Sequence, residues 1–573
     1  MRVSRETRSV FLALSLVIGA ALLIQVRGRG IDPDELEHIH AACAVSWGEV
    51  PYRDFFEHHG PGLYYMLQPI LRVTGPELPA LWWSRLLMWG AGMATLVLVG
   101  AMAYRLAGRT AAAAAAALLG CTTIFFWKTV EVRPDVPAML LLTLAAYFTI
   151  TAPNWRFHLA ALLVGLLLGL ATLLTQKAIV PAAAMVLAQL AVSYCGVPLL
   201  RRSSVERCPL PGTACEQAVA HEGEKSGLRY CVLVVLGGAA AWLIAIGLFC
   251  SAGAADAFVQ ATVCQLWRWP VRQNPLTALR PTLLADLPLW FGAAMAIVAS
   301  IRGGRASATP TDASETQLHG RSVLSLAVLF CFVCGLFVKA AYSQYYLLWF
   351  PLAAVVAADS LVRWGSGAMT SRQRWTLLGV LALLATFEAF LATYAVCRGA
   401  AGSLPQLLDR FSATAVGLCA AGFIALAAIA AIVCIVEARL AATVLCLAVL
   451  GLTYAGLRNI DALCWSNRSQ VAALATVNRL VGPDETILDG FTGLGAFRRH
   501  AYYYWWLNPY SLGLMEVESR ERGLLASLKR SPPKLICVDE NVKKLPDVMA
   551  WVEENYRPIE PPLYIRKASV AAR

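Results

Sequence analysis

Apolar residues in this chain neither alternate with polar ones nor mark a single helical face. They run in blocks, each near the ~20 residues that cross a bilayer as a helix. The pattern predicts thirteen spans, at roughly 9–26, 81–103, 111–127, 136–152, 159–175, 178–197, 230–250, 284–301, 322–339, 344–362, 375–396, 413–435 and 440–457. Beyond residue 460 the blocks give way to charge runs and turn signals such as Val481-Gly482-Pro483-Asp484. There Thr486–Asp489 and Leu535–Asp539 read as short buried strands, and 514–529 and 543–555 as helices. The expected fold class is an all-α polytopic membrane bundle of about 13 transmembrane helices over residues 1–460, with a small C-terminal α/β domain over 461–573.

Composition sharpens that picture. Of 573 residues, 58% are hydrophobic and 15% charged, with a mean hydropathy of +0.59. A soluble domain carries about 25% charged residues, so a soluble enzyme is excluded. The net charge of +12, from 48 basic and 36 acidic residues, is read as serving topology and anionic headgroups rather than nucleic acid. Most of the 16 cysteines, Cys250, Cys331, Cys334, Cys434 and Cys446 among them, sit in apolar runs and act there as small hydrophobes. Arg2, Arg5 and Arg8 precede the first apolar run without a convincing cleavage site, so that run is expected to be a retained helix.

Basic residues in short loops mark the cytoplasmic side. With the N-terminus inside, Arg105, Arg109, Arg156, Arg201, Arg202, Arg302, Arg363 and Arg439 all fall inside as well. The first loop (27–80), an aromatic amphipathic loop (251–283) and the C-terminal domain then face outward from a cytoplasmic, or inner, membrane.

That outer side collects the ionisable residues. Asp32 before Pro33 predicts the cap of a short surface helix with Leu36, Ile39, His40, Cys43 and Trp47 at helical spacing, and with Asp34 and Glu35 near its start. Glu57, His58 and His59 follow in the same loop. Glu131, Arg133 and Asp135 lie between spans three and four, Lys177 between five and six, and Tyr342, Tyr345 and Tyr346 between nine and ten. Charges at this depth are costly unless they face a cavity or a substrate. A carboxylate can take a proton from a nucleophile, and an adjacent lysine or arginine can hold a phosphate. Plainer roles exist: Lys177 can snorkel, Arg133 and Asp135 can form a structural ion pair, and the tyrosines can be an interfacial belt. His58 and His59 look metal-like beside Glu57, although adjacent histidines rarely point at one ion. The tract Tyr502-Tyr503-Tyr504-Trp505-Trp506 either packs on the membrane domain or faces a carbohydrate.

These motifs resemble those of the GT-C membrane glycosyltransferases, in the branch of protein O-mannosyltransferases and bacterial aminoarabinose transferases of lipid A. Pro33-Asp34-Glu35 resembles their acidic motif at the start of the first outer loop. Arg133-Pro134-Asp135 resembles the second acidic site. Leu174-Thr175-Gln176-Lys177 resembles a Leu-Thr-Lys element whose lysine contacts the donor phosphate, and Tyr342–Pro351 a tyrosine-rich element near the same phosphate. Many relatives carry Lys-Pro-Pro where this chain has His59-Gly60-Pro61; without a lysine, that phosphate contact would fall to His58 or His59. The resemblance covers roughly 10–460.

It implies a polyprenyl-phosphate sugar donor and an inverting transfer in one displacement. Asp34, Glu35 and Asp135 would be catalytic, with Asp34 as the base. Arg133, Lys177, Arg272, Tyr342, Tyr345, Tyr346, His58 and His59 would contact the donor, and Glu57 and Trp267 the acceptor. No cofactor is required; a divalent cation is optional, with Asp34 and Asp135 as its candidate ligands. The acceptor is left open among lipid A, lipopolysaccharide core, cell-wall polysaccharide and protein. The chain is expected to work as a monomer among membrane lipids, with no nucleic-acid partner. An oligosaccharide ligase of GT-C-like fold shares this logic. A lipid-linked sugar transporter would instead place its charges at mid-membrane, where Glu388 is an exception to the surface clustering.

Overall fold

The computed structural model describes residues 5–151, 157–195, 212–265, 273–301, 315–338, 342–366, 467–514 and 517–567. The spans expected at 375–396, 413–435 and 440–457 lie outside these residues, as do Glu388, Trp267 and Arg272.

The membrane part is built from α1 (Arg5–Gly28), α2 (Pro33–Ser46), α3 (Leu78–Gly120), α4 (Asp135–Thr151), α5 (Phe157–Leu174), α6 (Ile179–Cys195), α7 (Gly212–Ser251), α8 (Leu287–Ile301), α9 (Glu315–Gly335) and α10 (Phe350–Ser366). Four described stretches are long and apolar enough to cross a membrane: Leu78–Gly120, Gln176–Tyr194, Gly227–Ser251 and Gln317–Gly335. Ser15–Gly28, Asp135–Thr151, His158–Leu174 and Pro288–Ser300 are apolar but shorter. The chain is therefore an α-helical, multi-pass membrane protein.

Two boundaries differ from the sequence pattern. The second and third expected spans form one helical stretch, α3, broken at Ala107 (φ −143°, ψ 18°) and Gly108 (φ 81°, ψ −168°). Its second leg ends at Gly120, because Thr122 caps a separate helix, Thr123–Lys128, by accepting from the Phe125 amide. Elsewhere, α5 lies against α4 and α7, and α3 against α1 and α10. The α5–α7 approach depends on small residues: a Cβ on Gly165 would sit 2.0 Å from the Val234 carbonyl oxygen. In lipid, where hydrophobicity does not drive helices together, such close backbone packing does.

The C-terminal domain opens with α11 (Arg468–Leu480) and contains α12 (Val517–Arg530) and α13 (Pro546–Asn555). Its sheet has strands β1 (Thr486–Asp489), β2 (Arg499–His500), β3 (Leu535–Cys537), β4 (Tyr556–Glu560) and β5 (Leu563–Arg566), in the order β2-β1-β3-β5-β4. β1 runs parallel to β2 and β3, whereas β5 is antiparallel to β3 and β4. Leu488 and Ile536 from the sheet bury against Leu524, Leu528, Val548 and Val552 from the helices.

This domain clamps the first outer loop. Gln470 exchanges two hydrogen bonds with the Ile31 backbone, at 2.8 and 2.9 Å, and Asn467 donates to the carbonyls of Arg27 and Arg29. Trp505 Nε1 donates to the Phe56 carbonyl at 3.0 Å, and Tyr503 Oη to that of Tyr52 at 2.7 Å. The expected surface helix is in consequence not at the surface: every residue of α2 from Glu35 to Ala44 is buried. Leu36 packs so closely on the loop after β1 that a Cβ on Gly493 would meet its Cδ1 at 2.4 Å.

Candidate active site

The site begins at the first turn of α2. Asp32 is its N-cap, accepting from the Asp34 amide at 3.0 Å, while Glu35 Oε2 accepts from the Asp32 amide at 3.1 Å. This capping box, with Pro33 at the first helical position, fixes the turn. It directs two adjacent acids into different surroundings. Asp34 keeps 42% side-chain exposure, whereas Glu35 has 0%.

Glu35 is fully engaged. Arg85 of α3 donates to both its oxygens, at 2.8 and 2.6 Å, and the Val132 amide donates to Oε1 at 3.0 Å. Burial alone would raise its carboxyl; Arg85, then Arg29 and the Val132 amide, outweigh it and hold the group below the usual range.

Asp34 faces Arg133, whose Nη1 lies 2.9 Å from Oδ2. The same nitrogen is 3.3 Å from Glu131, and Arg133 Nε is 3.6 Å from Asp135. Lys177 pairs with Asp135 at 3.2 Å and lies 4.8 Å from the centre of the Tyr345 ring. Burial works to raise the Asp34 carboxyl, but Arg133, His59 and Lys128 prevail, so it stays ionised at neutral pH. Glu131, in turn, is held by Lys128 at 2.8 Å and by Arg29.

A second cluster adjoins this network. Gln176, beside Lys177, donates to the His58 carbonyl at 2.8 Å. A Cβ on Gly60 would sit 2.2 Å from the Leu173 carbonyl oxygen, so only glycine lets the loop seat there. Within that loop Glu57 Oε1 accepts from the backbone amides of His58 and His59 and lies 2.9 Å from His59 Nδ1. Glu37 of α2 closes the group, 3.9 Å from each histidine. Burial, then Glu57 and Asp34, push the Glu37 carboxyl well up. Despite burial, the histidine contacts bring Glu57 down to about 2. The ligand atoms of Glu37, Glu57, His58 and His59 all lie within 4.8 Å of one another. Two imidazoles and two carboxylates are a donor set that a divalent ion such as zinc accepts, so this cluster is capable of holding one. The carboxylates expected for that part, Asp34 and Asp135, face Arg133 and Lys177 instead.

The structure thus brings together Asp34, Arg133, Asp135, Lys177, Tyr345, Glu57, His58 and His59. Tyr342 contacts the Tyr345 ring at 5.8 Å, whereas Tyr346 packs among Trp290, Trp349 and Phe350. Sequence reasoning passed over Arg29, Arg85, Lys128 and Glu37. Arg85 had a signal, being a charge inside the apolar block 81–103; Lys128 and Glu131 are at pairing distance along the chain.

Residues 58–205 match the family described as dolichyl-phosphate-mannose-protein mannosyltransferase. Among curated proteins, none matches the sequence. The crystal structure of ArnT from Cupriavidus metallidurans in the apo state superposes with a TM-score of 0.65 at 14% identity, covering 99% of this chain and 98% of that one. The same protein bound to undecaprenyl phosphate superposes with a TM-score of 0.62 at 14% identity, covering 99% of both chains. Residues 58–205 are thus similar to that mannosyltransferase family, and nearly the whole chain shares the fold of ArnT.

Proposed function

We propose that this chain is an inverting glycosyltransferase that moves a sugar from a polyprenyl-phosphate donor to an envelope acceptor on the outer face of the cytoplasmic membrane. The observation that carries this reading is the exposure of Asp34. Its side chain is 42% exposed, against 26% for Asp32 and 0% for Glu35, Glu131 and Asp135. Within a network of buried acids and cations, it is the carboxylate best placed to meet a substrate.

In the proposed step Asp34 takes the proton of the acceptor hydroxyl. The oxygen attacks the anomeric carbon from the face opposite the phosphate. The bond from that carbon to the phosphate oxygen breaks, and its electron pair leaves on the polyprenyl phosphate. Lys177 and Arg133 meet the charge that develops there, so the leaving group needs no acid. Asp135 acts through Lys177, and Glu35 through the start of α2, which makes both positioning residues. The ArnT structure of similar fold also binds a lipid phosphate. The N-terminus is placed inside and the C-terminal domain outside, on the distribution of basic loops.

The test uses purified protein, synthetic polyprenyl-phosphate sugars and envelope fractions. Asp34→Asn is expected to lower turnover by about 10²–10⁴-fold while leaving donor binding in place. Unchanged turnover rejects Asp34 as the base; no transfer from any such donor rejects the reading as a whole.

A further inference from the structure

We propose that the cleft between the first outer loop and the C-terminal domain binds an uncharged saccharide belonging to the acceptor. The cleft, of about 330 Å³, is lined on the loop side by His40, Glu49 and Asp54 and on the domain side by Tyr502, Tyr503 and Ser527. Such a volume suits a small ligand.

Its chemistry narrows the class. The two carboxylates already have cationic partners: Arg499 lies 3.1 Å from Glu49, and Arg53 donates to both oxygens of Asp54, at 2.8 and 2.7 Å. A ligand need bring no charge of its own. Two of the lining hydroxyl protons are also committed, that of Ser527 to the Ala501 carbonyl at 3.1 Å and that of Tyr503 to the Tyr52 carbonyl at 2.7 Å. His40 Nδ1 donates to the Ala496 carbonyl at 3.2 Å, which makes Nε2 the acceptor nitrogen of a neutral ring. The wall therefore offers mainly acceptors, and suits a ligand rich in hydroxyl donors. Half-buried Tyr502 and Tyr503 add flat apolar faces of the kind on which a sugar ring can rest. An uncharged polyol with an apolar ring face is a saccharide.

The aromatic tract divides accordingly. Trp505 and Trp506 are buried, each 2% exposed, and Trp505 donates to the loop at Phe56, while Tyr502 and Tyr503 line the cleft. His40 sits six positions along α2 from Asp34, roughly 9 Å at helical rise. One acceptor glycan can span that distance. Service as an acceptor site rests on the glycosyl-transfer reading; saccharide binding does not.

The test measures saturation-transfer NMR on the full-length protein in nanodiscs, with no donor added. The probes are methyl glucoside, methyl galactoside and N-acetylglucosamine, with glucosamine as the cationic comparison. Saturation transfer to one or more neutral sugars is expected in the wild type and in Asp34→Asn. Binding about tenfold weaker is expected in Tyr502→Ala, and weakening in the same direction in Ser527→Ala should that first variant not fold. The proposal is overturned if no neutral sugar binds, if folded variants bind as the wild type does, or if glucosamine binds about tenfold tighter than every neutral probe. Saccharide binding without any transfer would leave this site standing and remove the transferase reading instead.

Discussion

Glu35 and Arg85 form a two-point ion pair, at 2.6 and 2.8 Å, with both side chains at 0% exposure. The remaining guanidinium hydrogens donate to the carbonyls of Val26, Arg29 and Gly30, so one arginine ties the end of α1 and the start of α2 to α3. Removing one member of such a pair strands a buried charge, at a cost of about 3–5 kcal/mol. Arg85→Met and Glu35→Gln are each expected to lower the melting temperature sharply, with partial recovery in the double variant. If Glu35→Gln melts like the wild type yet loses turnover, Glu35 touches the substrate rather than positioning the turn.

Lys177 is held by Asp135 and by the Tyr345 ring, and is proposed to meet the donor phosphate. Lys177→Ala should weaken binding of a polyprenyl phosphate by about 10–100-fold, the worth of a charge-assisted contact. Asp135→Asn should move binding in the same direction by less. Equal affinity in Lys177→Ala, read by titration of a short-chain polyprenyl phosphate, removes Lys177 from the donor site.

The Glu37–Glu57–His58–His59 cluster gives a metal prediction. Protein stripped by a chelating resin should take up about one Zn²⁺ or Co²⁺ per chain, and His58→Ala/His59→Ala should abolish uptake. Because the Glu37 carboxyl is pushed well up, binding has to displace its proton. Affinity should therefore rise with pH, by about tenfold per unit for one proton released. Retention of the ion in the double variant would place it elsewhere.

His40 and His500 lie where the outer loop meets the C-terminal domain. Burial, with their mutual repulsion, takes His40 down to about 3; burial takes His500 down to about 4. Both rings are neutral in the folded protein at pH 5, while an unfolded histidine has a pKa near ~6.5. The unfolded state therefore binds more protons below that value, and stability falls as the pH is lowered, by about 1.4 kcal/mol per unit for each histidine. Melting curves between pH 7 and 5 should show the fall, with a shallower slope in His500→Gln. The same slope in that variant removes His500 from the effect.

The sequence by itself determined what short-range rules govern. Apolar block length marked the membrane helices among the described residues, although the 111–127 block stops at Gly120. The spacing of Asp32, Pro33 and Glu35 specified the start of α2, since a capping box acts within one turn. β1 and β3 were legible as short apolar runs, and α12 and α13 as helices close to their observed bounds. β2 was not, being two residues long; nor was β4, whose residues after Tyr556 are exposed and lack alternation.

Tertiary structure decided everything that depends on what lies opposite a residue. Asp34 and Glu35 are neighbours of similar chemistry, and only the arrival of Arg85 and Val132, 50 and 97 positions away, made one a buried anchor and left the other exposed. Burial of α2 likewise required the C-terminal domain to fold over it. Glu37 met Glu57, His58 and His59 only because Gly60 lets that loop seat against the end of α5. Helix caps and apolar runs act over a few residues and can be read along the chain, whereas exposure and ion-pair partners come from long-range packing.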